Sequence, residues 1–367
     1  MGKTQNSLCN NGLQHNKACA LGKNPFVSGS MCAHLVTNQS QQAIRSRKMG
    51  KNLPRGDTIL LSAYITHPDC SRHEMGPHHP ECPERLSAIQ DHLLVKGLLD
   101  YMIPHDAPLA TEEQLARAHN ALYVKEILAA SPAEGYFALD PDTNMNPYTV
   151  PAALRAAGAA IHATDLVIRG EAPTAFCSIR PPGHHAEHAA AMGFCFFNNV
   201  AVAARHALDV HNLERVTIID FDVHHGNGTE DIVRGDERVL MCSIFEKGLY
   251  PFNGEQAVGA NMVNVGMPSR TGGDVFRQAV TEQWLPALEA YKPQMIFISA
   301  GFDAHREDDM GNLGLVEADY AWVTKKLVEL AGRHAKGRIV SCLEGGYVMS
   351  PLARSVAAHV KVLIGAD

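Results

Sequence analysis

The chain has 367 residues, 46% of them hydrophobic, enough to bury one large core or two smaller ones. A formal net charge of -7 argues against a catalytic body built to hold nucleic acid. No run approaches the roughly 18 apolar residues of a membrane helix. No clear signal peptide is read, and the nine cysteines include no C-x-x-C pair. Buried thiols in a reducing, cytoplasmic compartment are therefore expected, not a disulfide framework.

Residues 1–56 carry no acidic residue, are rich in Asn, Gln, Ser and Lys, and show little periodicity, so a poorly ordered tail is expected there. A transit peptide is one reading of such a basic stretch; a start upstream of the true one, with translation from Met49, is another. A chain starting at Met49 is expected to keep fold and activity. Residues 57–367 read as one continuous globular domain. Pro151 to Arg169 is a helix entered through Pro in its first turn. Thr174 to Ile179 is a strand that runs into Arg180-Pro-Pro-Gly-His-His185. An Ala/Val-rich helix spans Asn199 to Leu208, with Asn198 or Asn199 at its cap. Val216 to Phe221 is a second strand, β-branched and apolar. Val275 to Tyr291 is a helix with Asp274 as its N-cap, Gln294 to Ala300 a strand, Asp319 to Ala335 a helix, and Arg338 to Leu343 a strand. Strands alternating with such helices suggest βαβ units in a doubly wound, mainly parallel sheet.

Polar groups enter abruptly at the end of the Val216 strand. Asp220, Asp222 and His224 fall at period two, so on an extended segment they point to one side. Three polar groups at the mouth of a buried strand each need a partner. Carboxylate and imidazole together make a metal half-site that lacks a third ligand. Asp303, which follows Ser299-Ala-Gly-Phe at the end of another strand, is the candidate. Ligands in open parallel sheets bind outside the carboxyl ends of the strands. Four strands release chemical groups there: His184 and His185, the Asp220/Asp222/His224 set, Asp303, and Gly345-Gly346-Tyr347. His184-His-Ala-Glu-His188 formally matches the H-x-x-E-H metalloprotease pattern. It follows Pro181-Pro182-Gly183, poor context for the helix that chemistry requires, and a protease would leave Asp222, His224 and Asp303 without a role.

Arg180-Pro-Pro-Gly-His-His-Ala-Glu187, Gly193-Phe-Cys-Phe-Phe-Asn-Asn199, Asp220-Phe-Asp-Val-His-His-Gly-Asn-Gly-Thr229, Ser299-Ala-Gly-Phe-Asp303 and Leu343-Glu-Gly-Gly-Tyr347 together resemble the zinc-dependent histone deacetylase family. The likeness runs from about residue 57 to 365 and is strongest to class II enzymes and bacterial histone deacetylase-like amidohydrolases. It implies a single-domain α/β arginase/deacetylase-type fold: a central, mainly parallel sheet flanked by helices, with the active site at the strands' carboxyl ends. It implies hydrolysis of an acetyl-lysine amide by metal-activated water, with one zinc per chain on Asp222, His224 and Asp303. Iron(II) or cobalt(II) suits the same hard ligand set.

The resemblance also assigns roles. His185 is the general base and then acid, His184 its electrostatic partner, and Tyr347 the donor to the developing oxyanion. Asp220 and Asn227 are the partners of His184 and His185. Asp220, Asp222, His224 and Ser243 match a structural potassium site. Gly193, Phe194, Tyr250 and Met310 line the acyl-lysine tunnel, and Arg85 belongs to an internal acetate cavity. The expected partner is an acetyl-lysine protein or peptide, or an acetylated small amine, with no nucleic acid or membrane and with a homo-oligomer allowed. An acetylpolyamine amidohydrolase is the main alternative; Met310 stands where a polyamine-selective relative carries Glu, yet Glu307, Asp308 and Asp309 lie nearby. A non-catalytic acyl-lysine reader and a two-metal ureohydrolase are weaker alternatives.

Overall fold

The computed structural model describes residues 60–366. The expected tail over 1–56 lies outside the described residues. Eight strands form one parallel sheet: β1 (Ser62–Thr66), β2 (Met102–Asp106), β5 (Thr174–Cys177), β6 (Val216–Asp220), β7 (Val239–Glu246), β8 (Met262–Met267), β9 (Ile296–Ala300) and β10 (Ile339–Leu343). Their spatial order is β2-β1-β5-β10-β9-β6-β7-β8; β3 (Phe137–Ala138) and β4 (Asn144–Met145) make a separate antiparallel pair.

Alternation along the central strands divides the apolar residues between two cores. Val216, Ile218, Phe297, Val340 and Cys342 enter the core beneath the Thr149–Ile168 and Asn199–Asp209 helices. Ile219, Ile296, Ile298, Ile339 and Leu343 enter the other, beneath Glu84–Val95, Glu317–His334 and Met349–Leu363. Burying each such side chain contributes roughly 1.5–3 kcal/mol, and both faces covered by helices is what a parallel sheet requires.

Asn198 caps the Asn199–Asp209 helix, its side chain accepting from Ala201 N at 2.9 Å. The expected helix over Val275 to Tyr291 is interrupted. It consists of Gly273–Ala279, a π turn over Val280–Trp284, and Leu285–Tyr291. Pro286 offers no N–H to the preceding turn, and the widened turn takes up the missing bond. The N-cap there is Gly272; Asp274, expected as the cap, sits inside the first turn. No helix among the described residues is long and apolar enough to cross a membrane. Six cysteines of the described residues are free, five of them buried.

Candidate metal and catalytic site

The four strands whose ends carry chemistry are neighbours, in the order β5-β10-β9-β6 at the centre of the sheet. Residues far apart in sequence thus leave the sheet side by side. Strand β6 stops at Asp220, so Asp222 and His224 lie on a turn and not on the extended segment the period suggested. The turn is tied by its own carboxylates: Asp220 Oδ1 accepts from Asp222 N at 3.1 Å, and Asp222 Oδ1 from His224 N at 2.9 Å.

Asp222, His224 and Asp303 are all buried and each places a donor atom within 4.8 Å of the others. His224 Nδ1 lies 2.9 Å from Asp222 Oδ1 and 3.3 Å from Asp303 Oδ2. Asp222 Oδ2 accepts from Gly345 N at 2.9 Å, and Asp303 Oδ1 from Val223 N at 2.9 Å. Asp303 Oδ2 makes no hydrogen bond although it is buried; a buried carboxylate oxygen left so is costly unless a cation meets it. Burial and the charge of Asp222 push the Asp303 carboxyl up to about 7. Close approach needs glycine: a Cβ on Gly345 would collide with the carboxylate oxygens of Asp303 and Asp222. The donor set and the orphaned oxygen fit a divalent cation.

The two histidines stand over this cluster with opposite environments. Their ring centroids are 4.0 Å apart. His184 Nδ1 is 3.0 Å from Asp220 Oδ2, and its Nε2 is 3.8 Å from Asp222 Oδ2. Burial opposes its charge, but Asp222 and Asp220 outweigh burial and hold it well above the usual histidine value. His185 Nδ1 is 2.7 Å from Asn227 Oδ1. Burial, then the His184 and His224 charges, hold His185 well below its ordinary value. Asn227 Nδ2 donates to Glu187 Oε1 at 2.8 Å, which fixes the amide with Oδ1 toward His185. His185 therefore carries its proton on Nδ1 and presents a bare Nε2.

Aromatic rings wall the site. Tyr250 lies 5.1 Å from the His185 ring and 6.4 Å from His224. Phe194 stands edge-on to Tyr347 at 5.9 Å and to His79 at 4.6 Å. Gly193, at φ 55°, passes so near His185 that a Cβ would strike the imidazole. Burial, then the Asp303 charge, keep the Tyr347 phenol protonated by raising it well above its ordinary value. Arg85 sits behind, its guanidinium 4.9 Å from the Tyr347 ring centre. It is fully buried, paired with Glu81 at 3.0 Å, and donates to Gly346 O at 2.6 Å and to Glu344 O. Met310 is half-buried on the loop after Asp303; its amide donates to Asp308 Oδ1 at 3.1 Å. Ser243 is the register partner of Asp220, but its hydroxyl faces His225 Nδ1 at 3.1 Å.

Sequence reasoning missed Glu344. Its Oε2 accepts from Gly183 N at 2.7 Å and His184 N at 3.1 Å, and its Oε1 faces Ser299 Oγ at 3.1 Å. Burial pushes the carboxyl up to about 7 against the charge of His184. Asp308 was also missed as a support: its Oδ2 accepts the Tyr347 and Val348 amides at 2.7 and 3.0 Å, fixing the backbone that presents the phenol. The one sequence signal was an acid at the carboxyl end of a buried strand: Glu344 follows β10 directly, as Asp303 follows β9 after Gly301 and Phe302.

A parallel sheet with Asp/His/Asp and a histidine pair at its carboxyl edge defines a deacetylase-type hydrolase of amide bonds. The histone deacetylase domain model matches residues 79–363, so the chain belongs to the histone deacetylase family. Histone deacetylase-like amidohydrolase of Pseudomonas aeruginosa is 37% identical over 301 residues, covering 80% of this chain and 77% of that protein. Type-2 histone deacetylase 2 of Dictyostelium discoideum is 36% identical over 353 residues; the match takes in 82% of this chain but 20% of that longer protein. The crystal structure of the HDA15 HD domain superposes with a TM-score of 0.78 at 33% identity, covering 83% of this chain and 88% of that one.

Proposed function

We propose that the protein removes acetyl or similar small acyl groups from lysine side chains, with a zinc ion held by Asp222, His224 and Asp303. The observation that carries this reading is the buried, unbonded Asp303 Oδ2, turned toward a cluster of donor atoms beneath two histidines. The ion supplies Lewis acidity that polarises the acyl carbonyl and makes water a nucleophile near neutral pH. His185 takes the proton of that water at its bare Nε2 and returns it to the departing amine nitrogen. His184, held by Asp220 and Asp222, offsets the negative charge of the tetrahedral stage. The Tyr347 hydroxyl donates to the carbonyl oxygen as charge builds there. Gly193, Phe194 and Tyr250 exclude water from the aliphatic stem, and Arg85 offers positive charge behind Tyr347 for the released acetate. A structural potassium ion would belong beside Asp220, Asp222, His224 and the register partner Ser243.

Acetyl-lysine is favoured over acetylpolyamine by the fate of the acids near Met310. Glu307 is held by Arg354 at 3.0 Å, and Asp308 is spent on three backbone amides. Only Asp309 of the three is not so engaged, and it is exposed. The free, largely buried cysteines accord with a reducing, cytoplasmic setting. Acetate release from acetyl-lysine peptides should exceed that from acetylspermidine and acetylputrescine in kcat/KM. A preference for the polyamines would replace this reading with the amidohydrolase alternative.

A further inference from the structure

A second cluster of metal-ligating side chains lies at the other end of the sheet. Asp165 is near the end of the Thr149–Ile168 helix, His206 near the end of Asn199–Asp209, and His211 two residues beyond it. Those helices lead into β5 and β6, so their ends meet the starts of strands whose far ends carry the active site. His206 Nε2 and His211 Nε2 lie 2.8 and 2.7 Å from the same oxygen, Asp165 Oδ1. The rings are 5.2 Å apart at 78°, and the three donor atoms all fall within 4.8 Å of one another. His206 is nearly buried at 7% side-chain exposure, whereas Asp165 and His211 at 27% and 20% leave an open side for solvent.

We propose that Asp165, His206 and His211 form a second divalent-metal site, of the zinc class, that clasps the two helices and takes no part in amide hydrolysis. Two imidazoles and a carboxylate with one open face suit a borderline dication. Two imidazole N–H groups now share one carboxylate oxygen, and one ion replaces both. For that, each imidazole gives up its Nε2 proton and carries one on Nδ1, exchanged through solvent, with no net change on a neutral ring. His206 Nδ1 meets Arg117 Nη1 at 3.1 Å, and arginine can only donate. Arg117 must therefore turn away when the ion binds, keeping its bond to Glu113 at 3.1 Å. Arg117 is paired with Glu113, and Arg169 divides its guanidinium between Glu171 at 2.7 Å and Asp165 Oδ2 at 3.8 Å, which leaves Asp165 Oδ1 as the oxygen that the two imidazoles and the ion would share.

Metal-free protein titrated calorimetrically with zinc should bind two ions per chain. His211→Ala and Asp165→Asn should each bind one and keep the wild-type rate of amide hydrolysis. Asp165→Asn is the sharper variant, because it retains an acceptor for the imidazole N–H groups but is a poor metal ligand. Arg117→Gln, which gives His206 Nδ1 an acceptor, should tighten the second site roughly tenfold. Zinc should also raise the melting temperature of His224→Ala, and that rise should vanish when His211→Ala is added. Equal zinc stoichiometry in wild type, His211→Ala and Asp165→Asn would overturn the proposal and leave a hydrogen-bonded clasp. Loss of only the active-site ion would leave the His211-dependent step in place, so the two sites fail separately.

Discussion

His185 Nδ1 meets a neutral amide oxygen, Asn227 Oδ1, at 2.7 Å, whereas His184 Nδ1 meets a carboxylate, Asp220, at 3.0 Å. Adjacent residues of one loop thereby receive opposite electrostatics. Because His185 lies well below its ordinary value, it stays neutral, and able to accept a proton, into acid solution. Asn227→Asp places a charge at the same distance and should raise the His185 pKa. The acid limb of the kcat/KM profile then moves to higher pH, and below it the rate falls about tenfold per unit. An unmoved acid limb in Asn227→Asp would remove His185 from the role of base.

Tyr347→Phe should bind zinc and hydroxamates nearly as wild type and lose roughly 10²–10³ in kcat, the usual cost of one oxyanion donor. The loss falls on kcat because the hydroxyl strengthens only as charge develops. Wild-type kcat on an acetyl-lysine peptide would make Tyr347 a wall of the pocket and nothing more.

The central strands and their carboxyl-end residues were legible because each apolar run stops at a polar group with no partner nearby in sequence. The outer strands were less so. Strand β2 contains Pro104 and His105 and lies at the sheet edge, where a missing N–H is tolerated, so it carries no apolar run to read. Neither Glu344 nor Asp308 could be placed from spacing, since both act on backbone amides more than 30 residues away. Asp274 shows the limit of local rules: a good cap residue that falls two positions past the observed N-cap, Gly272.

Glu81 anchors the loop before the site. It pairs with Arg180 and Arg85, and all three are fully buried. Burial alone would raise its carboxyl, but Arg180 and Arg85 hold it down to about 2. A depressed acid contributes stability above its unfolded value and loses it as pH falls, here from about 4.5 toward about 2. Glu81→Gln leaves two buried guanidiniums unpaired and should cost about 3–5 kcal/mol at pH 7 by urea unfolding, with the difference shrinking by pH 3. A variant within 1 kcal/mol of wild type at pH 7 would mean the pair contributes no net stability.

Met310→Glu would add a carboxylate on the loop that leaves Asp303. It should raise kcat/KM for acetylspermidine relative to an acetyl-lysine peptide roughly fivefold, the equivalent of about 1 kcal/mol for a solvent-exposed ion pair. An unchanged ratio would put Met310 outside the path of the substrate.

The proposed hydrolysis depends on an ion held by Asp222, His224 and Asp303. Acetate release from an acetyl-lysine peptide should disappear after chelation and dialysis and return with one equivalent of zinc at this site. In Asp303→Ala it should stay absent at every zinc concentration, because the metal itself is lost. Undiminished turnover by the dialysed, chelated enzyme would contradict the account outright.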